Sequence, residues 1–364
     1  MTIEKQGVLE VLGRIIDPVT GKDIVSSGRI EDPLIDGTNV NIRLLLPTLD
    51  HPNKTELIFN IVQEVEAIYP GANVNVHVAA APPAPAPPED NSIDKVKNII
   101  AVASGKGGVG KSTIAVNLAV GLKQLGFKVG LIDADLYGPS IPTMLGLKGE
   151  RPRVQDVDGR QRILPLRMNG MPVMSIGFVV APEQAVVLRG PRLGGIIKQF
   201  FMEVMWEELD YLIVDLPPGT GDIQLTLVQT VAVTGAVMVT TPQDVAVADA
   251  TKAMNMFLLP SVNVPIIGIV ENMAWFTPED LPDRKYFLFG QGGGEELARL
   301  SNTSVLGQIP IVQGIRESGD AGYPAILAKN SIVSEAFKTL AKNVSEQVAL
   351  RNEKLAPTKV VEVS

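Results

Sequence analysis

The 364-residue chain is 45% apolar and 20% charged, the balance of a globular protein too long for one ordinary core, so two domains are expected. Its net charge of −8 argues against nonspecific binding to nucleic acid or an anionic membrane. It has no cysteine and only two histidines, His51 and His77, which excludes disulfides, thiol nucleophiles and thiolate metal sites and leaves zinc or iron poorly supplied with ligands.

Met1-Thr2-Ile3-Glu4-Lys5 lacks the basic-then-apolar order of a signal peptide, which predicts a cytoplasmic location. Residues 1–78 read as a small α+β domain with the order helix, strand, strand, helix, strand, and carry 6 lysines and arginines against 11 aspartates and glutamates, a net of −5. Val8, Leu9, Leu12, Ile15 and Ile16 predict a first helix ended by Asp17-Pro18, and 39–46 a strand. Leu57, Ile58, Ile61, Val62, Val65 and Ile68 form a second helical stripe stopped by Pro70-Gly71, and 74–78 alternates as a final strand. His51 sits in a turn with no ligand spaced to help it, and reads as a solvated surface residue. Residues 79–95 are a linker; their Pro/Ala-rich part forms neither helix nor ladder and behaves as a semi-rigid extended spacer.

From residue 96 to 364, predicted strands at 99–103, 128–132, 172–176, 211–214, 236–240, 265–270 and 304–308 alternate with stretches of helical length. The pattern predicts a mainly parallel, doubly wound α/β sheet whose ligand site lies at the carboxyl ends of the strands. The uncharged run 223–243 is long enough to span a bilayer, but Gln224, Gln229 and threonines interrupt it; it reads as an amphipathic helix and a central strand.

The first strand enters Gly105-Lys106-Gly107-Gly108-Val109-Gly110-Lys111-Ser112-Thr113, and Ile114, Leu118, Ala119, Leu122 and Leu125 then recur at helical spacing. Strand, glycine loop and helix is the order of an ATP phosphate cradle. Glycines let the backbone N–H groups approach the phosphates, Lys111 reaches the β/γ-phosphates, and the Ser112 hydroxyl is placed to ligate Mg²⁺. The alternative is a glycine-rich turn without a ligand. Asp133 and Asp135 follow the next strand and suit two jobs, holding Mg²⁺ through water and orienting the attacking water, with a solvated acidic turn as the alternative. Asp215 ends an apolar strand before Leu216-Pro217-Pro218-Gly219, the usual setting of a carboxylate that supports Mg²⁺; the stiff turn would let the Gly219 N–H approach a γ-phosphate, with a plain loop as the alternative. Asn272, after 266–270, can read an adenine by paired hydrogen bonds or cap a turn.

With Lys106 early in the loop, the chain resembles the deviant Walker-A ATPases. Within that class it is most similar to the Mrp/ApbC-type iron–sulfur cluster carriers, on residues 104–113, Asp133-Ala-Asp135-Leu-Tyr-Gly-Pro-Ser140, Arg189-Gly190-Pro191, Asp215-Leu-Pro-Pro-Gly-Thr-Gly-Asp222, Thr241-Pro242-Gln243-Asp244 and Glu271-Asn272-Met273. The N-terminal domain resembles the iron–sulfur-assembly domain that often precedes such an ATPase. The resemblance implies a homodimer that binds and hydrolyses ATP with Mg²⁺ and delivers clusters to apoprotein clients. It makes Lys106 a lysine acting across the dimer, Asp135 the water-orienting aspartate and Asn272 the adenine contact. It also implies a Cys-x-x-Cys shortly after Glu271-Asn272-Met273 and a Cys-Pro step in the small domain; this chain has 275–282 without a thiol, and His51-Pro52. Thiolates are the normal ligands of such clusters, so no cluster ligand is identifiable here. A cluster-free regulatory or scaffold ATPase is the second reading. A positioning ATPase of the septum or partition type is the third. Its membrane form would want a basic amphipathic helix, whereas the stripe Val333, Phe337, Leu340, Val344 and Val348 is tempered by Glu335, Glu346 and Glu353 and reads as packing against the domain.

Overall fold

In the computed structural model the described residues are 3–17, 22–46, 53–80, 92–135, 138–157, 159–180, 190–278, 281, 283–329 and 331–361, with backbone only at 190–193. The chain divides into two compact units, Met1–Asp90 and Asn91–Ser364.

In the first unit, helices Lys5–Leu12 and Lys54–Ile68 accompany a sheet of strands β1 (Ile30–Asp36), β2 (Asn39–Leu46) and β3 (Asn73–Ala80), in the order β1-β2-β3. β1 and β2 pair antiparallel across a tight turn, and β3 returns parallel to β2 after the second helix. Val40, Ile42, Leu44 and Leu46 alternate onto the face that meets Leu57, Ile61 and Val65 in a separate core. The first helix stops at Leu12 rather than Ile16. Gly13 ends it, and Ile16 bridges to Asp23 as extended chain. Beneath this turn the Arg29 guanidinium meets the buried Asp17 carboxylate at 2.6 Å. The linker is shorter than expected, since Ala79 and Ala80 pair with Leu45 and Leu46 and Ser92–Lys95 forms a 3-10 turn. His51 lies outside the described residues, and His77 is on β3 opposite Arg43.

The second unit is built on eight strands: β4 (Ile99–Ser104), β5 (Val129–Asp133), β8 (Leu166–Met168), β9 (Met171–Ser175), β10 (Tyr211–Asp215), β11 (Gly235–Thr240), β12 (Ile266–Phe276) and β13 (Val305–Ile311). Their order is β13-β12-β11-β4-β10-β5-β9-β8, and every pairing is parallel except β8 with β9. β4, β5, β9, β10 and β11 are buried along their whole length, as strands covered on both faces must be. One apolar cluster lies under helix Asp244–Leu258 and includes Phe200, Phe201 and Trp206. The other lies under helix Lys111–Gln124 and the long helix Ile332–Lys354. The stripe Val333, Phe337, Leu340, Val344 and Val348 is buried in that second cluster. Two elements depart from the sequence expectation. A short antiparallel hairpin, β6 (Arg153–Val157) with β7 (Arg160–Leu164), precedes the antiparallel edge strand β8. β12 does not end near Val270 but continues to Phe276, so Asn272 lies inside the strand.

Candidate functional site: a glycine loop over an aspartate–lysine cluster

Parallel pairing fixes which residues share the carboxyl edge. Asp215 is registered opposite Val102 of β4 and Asp133 of β5, and Asp133 opposite Ser175 of β9. The register alone brings both strand-end aspartates beside the loop that leaves β4. That loop turns tightly, with Gly108 and Gly110 both at φ +81, and hands directly into helix Lys111–Gln124. Gly105 is required for a different reason: a Cβ there would fall 2.1 Å from the Asp249 carbonyl carbon, so the loop lies against the backbone of helix Asp244–Leu258.

Lys111 is the centre of the charge arrangement. Its Nζ donates to Asp215 Oδ1 at 2.8 Å, lies 3.3 Å from Asp135 Oδ2 and donates to Ser112 Oγ at 3.3 Å. Burial alone would lower its pKa; Asp215, Asp135 and Asp133 outweigh that and raise it, so the ammonium is held charged. Asp133 is fully buried. Ser175 Oγ donates to its Oδ2 at 2.9 Å and the Asp135 N–H to its Oδ1 at 3.2 Å. Desolvation first, and the Asp215 charge second, push Asp133 up to about 8. Asp215 is raised as well, by burial, against the opposing pull of Lys111 and the nearby Ser112 hydroxyl. Asp215 Oδ2 and Asp135 Oδ1 are buried and accept no well-formed hydrogen bond. Two carboxylate oxygens therefore stay available to a cation or its waters, a donor set that suits Mg²⁺.

Two hollows meet at this edge. One, of 240 Å³, lies over the loop and is lined by Lys106, Lys111, Ser112, Asp135 and Pro218 among others. The second, of 760 Å³, shares Gly110, Thr113, Ser140 and Met144 with it and is lined by apolar side chains such as Met273, Leu288, Phe289 and Ile311 together with Asn117, Asn272, Arg316 and Asp320. The smaller hollow sits on the glycine loop, where a polyphosphate would lie, and the larger has ample room for a nucleoside. Asn272 is 7% exposed, and its Nδ2 donates to the Val109 carbonyl at 2.8 Å. That bond spends one amide hydrogen on the loop itself. Gly219 differs from expectation too: its N–H donates to the Ser104 carbonyl at 2.9 Å, so in this state it does not face a phosphate. The fully buried Gln224 holds that turn through bonds to the Pro217 and Gly219 carbonyls at 2.8 and 3.0 Å. Ser175, Gln224 and Glu271 carry no site role in the sequence reading; Ser175 and Gln224 show only as polar residues inside apolar runs, and Glu271 only as part of the Glu271-Asn272-Met273 segment.

The segment 275–282, where the resemblance would place thiols, begins as strand. The Phe276 N–H and carbonyl pair with Tyr286 at 2.8 Å each, and Lys285 Nζ sits 4.0 Å from the Trp275 ring centre. Among the described residues no three His, Asp or Glu side chains converge where they could hold a metal ion.

The family model described as NUBPL iron-transfer P-loop NTPase matches residues 95–345, and the model for an iron–sulfur cluster assembly protein matches residues 5–78. The chain belongs to the iron–sulfur cluster carrier family of P-loop NTPases. An iron–sulfur cluster carrier protein from Synechocystis is 46% identical over 345 residues, covering 94% of this chain and 97% of the relative. That of Helicobacter pylori is 36% identical over 363 residues, covering 99% and 97%. Among solved structures, a nucleotide-binding protein from Archaeoglobus fulgidus in complex with ADP is 37% identical, with a TM-score of 0.55 over 65% of this chain and 92% of that one. The Pyrococcus furiosus cell division ATPase MinD is 25% identical, with a TM-score of 0.50 over 69% and 99%. The family's P-loop architecture accounts for the mainly parallel sheet, and its assembly domain for the first unit.

Proposed function

We propose that this family member is an ATP-binding and slowly ATP-hydrolysing homodimer that serves iron–sulfur cluster assembly in the cytoplasm. The observation that carries the reading is the Lys111–Asp215–Asp135 arrangement directly beneath the glycine loop. In this reading the N–H groups of Gly105 to Thr113 and the Lys111 ammonium bind the β/γ-phosphates, and Lys106 acts across the dimer. Ser112 and Asp215, with its free Oδ2, would hold Mg²⁺ directly or through water, and Asp133, whose oxygens already accept from Ser175 and the Asp135 N–H, would hold it through water; the ion would supply neutralisation of charge on the phosphates. Asp135 orients the attacking water, and Asn272 contacts the adenine with the amide hydrogen not given to Val109. Phosphoryl transfer needs mainly positioning and charge neutralisation, which lysines and aspartates provide without cysteine or histidine. The partners proposed are a second copy and apo iron–sulfur client or assembly proteins, with no nucleic acid and no stable membrane association. Among the described residues no helix is long and apolar enough to cross a membrane.

The cluster itself is cargo, and this chain's residues do not fit it: there is no thiolate, and no metal-holding group of three side chains among the described residues. That observation favours the version in which the ATPase works as a nucleotide-dependent scaffold or regulator and any cluster is held by thiols of its partners. Anaerobic reconstitution with iron and sulfide, read by visible absorbance and iron per dimer, tests it. A colourless protein that still hydrolyses ATP supports this version; a stable stoichiometric chromophore overturns it and restores a carrier with unusual ligands.

A further inference from the structure

Glu271 is only 1% exposed, yet it is a carboxylate within the sheet. Both its oxygens are held by neutral donors: the Gly294 N–H donates to Oε2 at 2.7 Å, and Gln308 Nε2 donates to Oε1 at 2.9 Å. Gln308 is its registered partner on β13, and Gly294 lies in the first turn of helix Gly293–Leu300. That turn already carries Glu295 and Glu296, so a third carboxylate is poorly placed to serve the helix alone. What the carboxylate does is tie strand β12, strand β13 and a glycine-rich turn to one point.

The turn it ties down directly follows one wall of the larger hollow. Leu288 and Phe289 line the 760 Å³ cavity and run through Gly290 and Gly292, at φ +89 and +84, into Gly293. Gly293 is pressed against the chain before helix Asp244–Leu258, where a Cβ would lie 2.7 Å from the Pro242 carbonyl oxygen. On the other side of Glu271 the next two residues, Asn272 and Met273, line the same cavity, and Asn272 holds Val109 of the glycine loop. One buried side chain, itself outside the lining, thus joins the strand that carries one wall to the turn that follows the other.

We propose that Glu271 is a positioning residue for the nucleoside end of the ATP site, fixing the Leu288–Phe289 wall against the Asn272–Met273 wall. This rests on the reading of the glycine loop as an ATP site. The role belongs to the two hydrogen bonds rather than to the charge. A glutamine can still accept from the Gly294 N–H, and the Gln308 amide can turn to accept from it. A purely structural role would weaken every ligand alike; a positioning role weakens only ligands that carry a nucleoside.

The test is calorimetric titration of ADP and of inorganic tripolyphosphate, with Mg²⁺, into the wild-type chain, Glu271→Ala and Glu271→Gln. Glu271→Ala is expected to bind ADP about tenfold or more weakly, the scale of one to two lost hydrogen bonds, while tripolyphosphate stays within about twofold of wild type. Glu271→Gln recovers most of the ADP affinity. ADP binding by Glu271→Ala at wild-type strength overturns the proposal, as does an equal loss for both ligands or a Glu271→Gln variant as weak as the alanine. A wild-type chain that binds neither ligand sinks the ATP reading and this inference with it, and that result is plain before any variant is measured.

Discussion

Lys111→Met removes one ammonium and keeps an apolar stem, and its effect on the nucleotide-free protein should depend on pH. Lys111 is 6% exposed and meets Asp215 Oδ1 at 2.8 Å and Asp135 Oδ2 at 3.3 Å. At an effective dielectric of about 20 these pairs attract by about 6 and about 5 kcal/mol, most of which offsets the cost of taking the three charges out of water. Breaking a buried pair typically costs about 3–5 kcal/mol; with Asp135 at the solvent edge, about 2–4 kcal/mol is expected near pH 8. Protons can substitute for the lost cation. Asp133 and Asp215 already have folded pKa values raised above the ordinary aspartate value, and without Lys111 both rise further. The folded variant then keeps protons that its unfolded chain releases above about pH 4, so its stability falls as pH rises through the raised values. The deficit against wild type should therefore shrink to about 1 kcal/mol or less near pH 5.5. Urea unfolding at both pH values measures it. An equal deficit at both, or one below about 1 kcal/mol at pH 8, would show that Lys111 does not neutralise this cluster.

Asn272→Ala removes the bond to the Val109 carbonyl and should weaken ADP binding about tenfold, with the fold intact by circular dichroism; unchanged affinity would count against the role given to Asn272. Gly105→Ala forces a methyl group against the Asp249 backbone, which cannot swing away as a side chain would, so a Tm lower by several degrees and loss of ATP binding are expected, checked by thermal unfolding and titration. In the nucleotide-free wild type, the Asp133 carboxyl pushed up to about 8 holds a proton that the unfolded chain loses, so stability should fall between about pH 4 and pH 8. Asp133→Asn should flatten that slope in urea midpoints taken across the range, and an unchanged slope would place the titration elsewhere.

The central sheet was legible because fully buried parallel strands are continuous apolar runs, and because Asp133 and Asp215 mark their carboxyl ends. The glycine loop was legible because its spacing is dictated by a phosphate chain rather than by packing. The hairpin β6–β7 was missed because its strands are rich in arginine and glutamine, β6 largely exposed and β7 half-buried, leaving little hydrophobic periodicity to read. β12 was cut short because Glu271 and Asn272 look like the end of an apolar strand, whereas each is buried by bonds to distant segments, at Gly294 and Val109. The same holds for Ser175 on Asp133 and Gln224 on the Pro217–Gly219 turn. Ser175 meets Asp133 only through the register of the folded sheet, Glu271 and Asn272 reach Gly294 and Val109 across 23 and 163 residues, and Gln224 folds back on a turn five to seven residues before it; none of these contacts leaves a periodic trace.

The measurement that bears most directly on the account is phosphate release from ATP with Mg²⁺ by the purified wild-type chain beside Lys111→Met. Slow, saturable turnover is expected in the wild type, and its loss in the variant. No turnover and no nucleotide binding by a folded wild type, or turnover that survives Lys111→Met unchanged, would contradict the account.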